Sequence, residues 1–226
     1  VTNELGGVTD VEYRPLSRFA LDQTAEFQEQ DDEALPTNIV RQFQPLYLVA
    51  DVTTSDGREG TAVEQESLEF AGYRFDTELR SPVGARMSTA TDAGGVTTTR
   101  VFHQAPELTG KLETESVCGA TGCYSQVETT WVALEDVPGA YMARPGVTLE
   151  RICSGATAAC DEATSPAVEH VVERSFDPHS GLVVSELDYG ADGNASTEGD
   201  NLDRRTTYAT NQAEAILALP AEEATY

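Results

Sequence analysis

The three histidines, His103, His170 and His179, are the first residues to consider for acid–base or metal chemistry. Imidazole titrates near neutral pH and is a common metal ligand, but a shared site requires side chains that converge in space. No two of these residues stand four apart or in an H-x-H pair, the spacings that would place them on one face of a helix or strand. We therefore expect surface or packing roles for all three.

Nucleophilic and carboxylate catalysis find equally little support in the residue pattern. The G-x-S-x-G motif of serine hydrolases is absent, and Ser180-Gly181 falls in a predicted hairpin turn. The chain has 39 acidic residues, so chance carboxylate pairs are inevitable and no pair stands out as a glycosidase site. We expect a protein that is not an enzyme, with no catalytic residue and no cofactor.

The best metal candidate is the acidic loop from Asp188 to Asp200. An EF-hand loop places oxygen ligands at its first, third and fifth positions and a glutamate at the twelfth. Counted from Asp188, the third position is Gly190 and the twelfth is Gly199, so two ligand positions fail. We expect a solvated turn, with weak calcium binding by the acids between Asp192 and Glu198 as the alternative.

The four cysteines form two local pairs, Cys118 with Cys123 and Cys153 with Cys160. Each pair lies where two strand-like segments meet, and a bridge across a turn is feasible when the α-carbons lie about 5.5–6 Å apart. Zinc sites use closer cysteines followed by H-x₃₋₅-H, which neither pair has. The spacing favours disulfides, with free thiols and zinc as alternatives, and disulfides would indicate an oxidising compartment.

Hairpins must position all of these residues, because strand patterns dominate the chain. Met87–Phe102 is a threonine-rich alternating pair of strands around Asp92-Ala93-Gly94-Gly95, and Ser175–Val184 repeats the pattern around Asp177 and Gly181. Further strands are predicted at Val8–Tyr13, Gln44–Thr54, Thr61–Phe70, Gly110–Val117, Ser125–Leu134, Val147–Cys153, Val168–Phe176, Gly181–Tyr189 and Arg205–Thr210. We predict an exposed loop or a frayed helical turn over Ala25–Glu33, an irregular connection over Val132–Arg144 and a short helix over Ala213–Leu219. The predicted fold is an all-β, antiparallel, hairpin-rich curved sheet.

Charge narrows the possible partners. The formal net charge is -25, and Lys111 is the single lysine. Such a chain repels phosphates and anionic lipid surfaces, so we expect neither nucleic acid binding nor membrane insertion. No composition break divides residues 1–226, which we predict to be a single all-β region and part of a longer polypeptide.

The order of several short segments resembles the YD-repeat (Rhs) proteins. Within that family it is similar to the middle region of the B component of Tc insecticidal toxins and its Salmonella-virulence-plasmid-type relatives. The segments that carry the resemblance are Thr2–Gly7, Tyr13-Arg14-Pro15, Pro45–Val49 with Asp56-Gly57, Tyr73–Asp76, Val101–Gln104, Leu108–Lys111, Phe176-Asp177 with Gly181, Asp188–Gly190, Gly199-Asp200, Arg205–Ala209 and Leu219-Pro220. Phe176 stands where the repeat has tyrosine, and the aromatic residue that follows the glycine in the family is missing after Gly84.

The resemblance implies a long antiparallel sheet wound into a hollow shell that encloses a toxic domain. It implies a secreted, non-enzymatic wall and scaffold with two kinds of partner: the enclosed toxic domain, and the rest of the polypeptide or a partner shell chain. A shell segment should leave sheet edges open near Val1 and Tyr226. The alternative is a secreted carbohydrate-binding or adhesin-type β module, in which Trp131, Tyr124 and Tyr141 would form an exposed stacking platform.

Overall fold

The structure, a computed structural model, is almost entirely antiparallel β, which confirms the predicted fold class. It describes residues 2, 6–21, 34–41, 46–58, 63–137, 140–155, 160, 168–190, 193, 201–211 and 216–225. The strands are β1 (Val8–Pro15), β2 (Ile39–Arg41), β3 (Tyr47–Ser55), β4 (Glu64–Ala71), β5 (Arg74–Asp76), β6 (Ser81–Gly84), β7 (Met87–Asp92), β8 (Thr97–Phe102), β9 (Leu112–Gly119), β10 (Gly122–Val137), β11 (Ala140–Ile152), β12 (Val168–Phe176), β13 (Val183–Asp188), β14 (Leu202–Asn211) and β15 (Ile216–Thr225). A single turn of 3₁₀ helix spans Leu16–Arg18.

The chain forms two compact units, Val1–Gly122 and Cys123–Tyr226. In the first unit the hydrogen-bonded strand order is β1-β3-β4-β7-β8-β9, and a separate small sheet has the order β2-β5-β6. In the second unit the order is β10-β11-β12-β13-β14-β15, which follows the sequence strand by strand. The prediction of one region over residues 1–226 stays a prediction.

A small apolar core lies in the first unit. Leu21, Ala71, Met87 and Val101 are buried together, and Met87 has no exposed surface. Met87 lies opposite Val101 across the β7–β8 ladder, so the threonine-rich hairpin supplies half of this core. Its threonines favour a pleated, half-buried surface because their branched side chains pack well against cross-strand neighbours.

Most of the predicted hairpins are confirmed. Strands β3 and β4 flank the Asp56-Gly57 turn, and β12 has the predicted bounds Val168–Phe176. Strand β13 pairs with β12 as its spacing predicted. The predicted loop at Ala25–Glu33 lies outside the described residues.

The irregular connection predicted over Val132–Arg144 is wrong, because β10 and β11 continue through most of it. Pro145 lies opposite Trp131 where the register shifts. Gly146 is the extra residue of that bulge, and proline is tolerated at a bulge because its missing N–H leaves no ladder bond unmade. A side chain on Gly146 would meet the Val132 Cγ2 atom at 2.7 Å, so the bulge also requires glycine.

The helix predicted over Ala213–Leu219 is wrong for its described part. Residues 216–219 belong to β15, which pairs with β14, and Leu219 lies opposite Ala209. The alanines and leucines have high helix propensity, but propensity is a weak preference that strand pairing overrides. Residues 213–215 lie outside the described part.

Candidate functional site: aspartate turns and cross-strand charge pairs

The turn after β7 is organised by one aspartate. The Asp92 Oδ1 atom accepts hydrogen bonds from the backbone N–H groups of Gly94 at 2.8 Å and Val96 at 2.9 Å. Gly95 adopts φ +77°, a conformation that glycine reaches without steric cost. These contacts satisfy turn donors that the ladder leaves unpaired, so the sequence of the turn fixes where the hairpin reverses.

The turn after β12 repeats this design. The Asp177 Oδ1 atom accepts bonds from the Ser180 N–H at 2.7 Å, the Ser180 hydroxyl at 2.8 Å and the His179 N–H at 3.2 Å. The hydrogen bonds from Ser180 outweigh burial and lower the pKa of Asp177. Gly181 closes the turn at φ +66°, where an added Cβ would lie 2.1 Å from the Met142 sulfur.

A third aspartate has the same role in the small sheet. The Asp76 Oδ1 atom accepts bonds from the N–H groups of Leu79 at 3.0 Å and Glu78 at 2.8 Å, and from the Asn38 side chain at 3.1 Å. The Leu79 bond is the largest influence, and together these donors lower the pKa of Asp76 against the opposing effect of burial. Phe75-Asp76 and Phe176-Asp177 therefore share an aspartate that ends a strand and holds a turn.

Arginine faces glutamate directly across several strand pairs. The pairs Arg100–Glu115, Arg151–Glu169 and Arg174–Glu186 each occupy opposed register positions, with N···O distances of 2.5, 2.8 and 2.8 Å. Glu186 also lies opposite Arg204 on the next strand, at 3.4 Å. Opposite charges at directly opposed positions stabilise a strand pair. The arginines of this acidic chain are thus used to bind neighbouring strands together.

Arg151 is the most buried of these arginines, at 8% exposure. Its Nε donates to Glu169 on β12, and its Nη1 donates to Glu128 on β10 at 2.5 Å. Burial alone would lower the pKa of Arg151, but the hydrogen bonds and charges of Glu169 and Glu128 raise it. One side chain therefore joins three strands of the second unit.

A buried polar cluster connects the small sheet to the larger one in the first unit. The Gln104 amide, 1% exposed, donates to the backbone carbonyls of Gly72 at 2.7 Å and Gly84 at 2.8 Å. Arg86, also buried, donates to the carbonyl of Phe102 and to Glu113. These bonds hold the ends of β4, β6 and β8 together, and they explain why Gln104 follows β8 in a buried position.

The histidines have separate contacts. The His103 Nδ1 atom lies 3.7 Å from Glu113, and the His170 Nε2 atom lies 2.7 Å from Asp188. Burial would raise the pKa of Asp188, but the Gly190 N–H and His170 lower it. His179 lies in the turn after β12, at the far end of that strand from His170. The structure therefore does not bring His170 and His179 together.

All four predicted cysteines are disulfide-bonded, which confirms the predicted bridges. The Cys153–Cys160 bridge has a Cα–Cα distance of 5.8 Å, and Cys160 is 2% exposed. The bridged loop is fixed to β10, because the Cys153 N–H donates to the Tyr124 carbonyl at 2.7 Å. With this bridge assigned, Cys118 and Cys123 form the other pair.

The three aromatic residues of the alternative hypothesis are spread along β10 and β11. Tyr141 lies opposite Glu135, four residues from Trp131 along β10, which is about 13 Å at the rise of a strand. Tyr124 lies seven residues away in the other direction and covers Gly155. The described residues therefore contain no shared stacking platform of these three side chains.

Metal and membrane features can be stated for the described part of the chain. No three His, Cys, Asp or Glu side chains there are placed to hold a metal ion. The acidic loop from Asp192 to Glu198 falls outside the described residues, except for Gly193, so its calcium binding stays untested. No described helix has the length and apolarity to cross a membrane.

The charge pairs are the residues that the sequence analysis missed. A partial signal was present, because Arg174 and Glu186 flank the turn at Asp177–Gly181. Arg174 stands three residues before Asp177 and Glu186 five residues after Gly181, and the bulge between Ser175 and Phe176 makes up part of the difference. In a hairpin, residues at equal distances from the turn become cross-strand partners. The pairing of Arg100 with Glu115 could not be predicted in this way, because the connection between β8 and β9 is longer and does not fix the register of the two strands.

Comparison with known proteins identifies the fold. No family model matches the chain, and no curated protein matches it by sequence. Among solved structures, TcdB2-TccC3 without its hypervariable C-terminal region superposes with a TM-score of 0.71 at 13% identity, over 98% of this chain and 14% of that one. TcdB2-TccC3-Cdc42 superposes with a TM-score of 0.69 at 13% identity, over 98% of this chain and 15% of that one. The Photorhabdus luminescens Tc holotoxin pore superposes with a TM-score of 0.69 at 12% identity, over 98% of this chain and 14% of that one. The chain thus spans about a seventh of those chains, and it has the fold of a segment of the Tc toxin TcdB2-TccC3 chains.

Proposed function

We propose that this chain is a wall segment of a Tc/Rhs-type toxin shell, a non-enzymatic scaffold that helps to enclose and deliver a toxic cargo domain. The observation that carries the proposal is the superposition of 98% of the chain on a short part of much longer toxin chains. A segment that matches so completely along its own length suits one stretch of a continuing wall. The proposed partners are the rest of the same polypeptide or a partner shell chain, and the enclosed domain.

The strand edges support this role. Among the described residues, β1 is the first strand of its sheet and pairs with β3, with an isolated bridge from Thr2 to Val8 on its other side, and β15 is the last strand and pairs with β14. A strand at the edge of a sheet can pair with a further strand, as a wall segment requires. Large apolar side chains are also exposed, including Tyr13 at 61% and Tyr47 at 64% on paired strands. Such exposure suits surfaces that other parts of an assembly cover.

The disulfides support secretion. Bridges persist in oxidising compartments and are rare in the cytosol, so a chain whose cysteines are all bridged suits an extracellular protein. The net charge of -25 suits a solvated outer surface. No geometry in the described residues favours the carbohydrate-binding alternative over the shell.

Cryo-electron microscopy of the full-length product of the gene, combined with protease protection, tests the proposal. We expect a hollow particle whose wall includes residues 1–226, and an internal domain that resists a protease which cleaves the same domain expressed alone. A compact domain with no adjoining cavity would contradict the shell, as would equal cleavage in both samples. A glycan microarray probed with the same protein tests the alternative, and specific sugar binding that is lost in Trp131→Ala would support it.

A further inference from the structure

An open groove of about 450 Å³ lies on the first unit, between the β3–β4 hairpin and the turn that follows β7. Val52 and Val63 contribute apolar surface to it, and Val63 is 50% exposed. Glu64, Glu66 and Asp92 line the same groove, and all three are exposed. The groove therefore combines an aliphatic floor with a carboxylate rim.

The charges in this groove break the pattern found elsewhere in the sheets. Glu66 lies directly opposite Asp92 across the β4–β7 pair, and like charges at opposed positions destabilise a strand pair. At Arg100–Glu115, Arg151–Glu169 and Arg174–Glu186 an arginine occupies the opposed position instead. Neither Glu64 nor Glu66 forms an ion pair within the described residues. A positive group from outside the chain would supply the missing counter-charge.

The shape of the groove selects among cations. A calcium ion needs six to eight oxygen ligands at short distances, and the described carboxylates form no cluster of three suited to a metal ion. An arginine or lysine side chain fits better, because its aliphatic stem can lie on Val52 and Val63 while its charged end reaches the carboxylates. An adjacent aliphatic side chain would cover the remaining apolar floor.

We propose that this groove binds an extended, basic segment of another polypeptide, in which arginine or lysine alternates with aliphatic residues. Alternation places the charges and the aliphatic side chains on defined faces of an extended segment. The groove lies wholly within the first unit, so this binding would occur whether or not the chain forms part of a shell.

Fluorescence anisotropy with a labelled hexapeptide that alternates valine and arginine tests the proposal on the whole chain. We expect Glu64→Gln with Glu66→Gln to weaken binding about tenfold, since two exposed ion pairs of ordinary strength are lost. Val63→Ser should weaken it about threefold through lost apolar contact. Glu12→Gln is the matched control, because it removes the same charge from an exposed position on β1 that does not line the groove.

The outcomes separate groove binding from general attraction to an acidic protein. Binding that is weakened by the groove substitutions and unchanged by Glu12→Gln supports the proposal. Equal weakening in all variants, undetectable binding, or equal affinity for a hexapeptide with glutamate in place of arginine would overturn it. Circular dichroism melting of each variant checks that the fold is retained, and a Glu64→Asp, Glu66→Asp variant that keeps the charges should retain binding.

Discussion

Replacement of Arg151 by methionine should destabilise the second unit by about 2 kcal/mol. The substitution keeps much of the side-chain volume but leaves Glu128 and Glu169, on the strands at either side of β11, without their shared cation. Removing one partner of a fully buried ion pair costs about 3–5 kcal/mol. Here the arginine side chain is 9% exposed, but the glutamates are 40% and 27% exposed, so water screens part of that cost.

Urea unfolding followed by tryptophan fluorescence measures this effect, because Trp131 is the only tryptophan and lies in the second unit. We expect the midpoint to fall by roughly 1 M urea for a unit of this size. Arg151→Lys should lower the free energy of unfolding by about half as much. Lysine keeps the positive charge but cannot donate to both glutamates as the guanidinium does. Adding Glu128→Gln and Glu169→Gln to Arg151→Met should restore part of the loss.

Arg58→Met is the matched control. Arg58 is 85% exposed and lies 3.9 Å from Asp56, so its loss should change stability by less than about 0.5 kcal/mol. An Arg151→Met protein with the same stability as the Arg58→Met protein would refute the view that Arg151 joins the three strands.

Three further predictions concern the turns and the disulfide. Replacing both Cys153 and Cys160 by serine should lower the free energy of unfolding by about 2.5 kcal/mol, the loop-closure estimate for so short a ring, and an unchanged urea midpoint would contradict this. Gly181→Ala should lower the melting temperature more than Gly95→Ala. Both substitutions force alanine into a left-handed conformation, but only at Gly181 would the new Cβ meet a side chain. Equal losses of melting temperature would show that this contact relaxes freely. The lowered pKa of Asp177 means that its contribution to stability is present above its unfolded pKa of about 3.9 and is lost as the pH falls through the lower folded value. Acid titration below pH ~4 should therefore destabilise the parent more than Asp177→Asn, and parallel acid curves would contradict that assignment.

The hairpins were predictable from the sequence because their causes are local. Asp92 and Asp177 each hold their own turn through donors within four residues, so a short window of sequence contains the information. The two wrong predictions, at Val132–Arg144 and Ala213–Leu219, depend on a partner strand. Pro145 is tolerated because the β10–β11 ladder has a bulge there. The residues from Ile216 to Leu219 form a strand because they pair with β14.

The functional surfaces were less predictable than the strands. The sequence does not distinguish Glu66 from the other acidic residues, of which the chain has 39. Only the strand register shows that Glu66 lies opposite Asp92. The burial of Gln104 could not be predicted from the residues around it in the sequence. Its hydrogen-bond partners are the backbone carbonyls of Gly72 and Gly84, which are distant in the chain. In both cases pairing across strands, rather than residue type, creates the feature.

The sequential strand order of the second unit has a consequence for how the protein is made. Each strand from β11 to β15 pairs with the strand that immediately precedes it in the chain. Contacts between near neighbours in sequence form quickly, because little chain entropy is lost in closing them. The sheet can therefore grow in the order of synthesis, and each newly emerged strand covers the edge that was exposed before it. Adding or removing one hairpin would lengthen or shorten such a sheet without disturbing the pairing of the others.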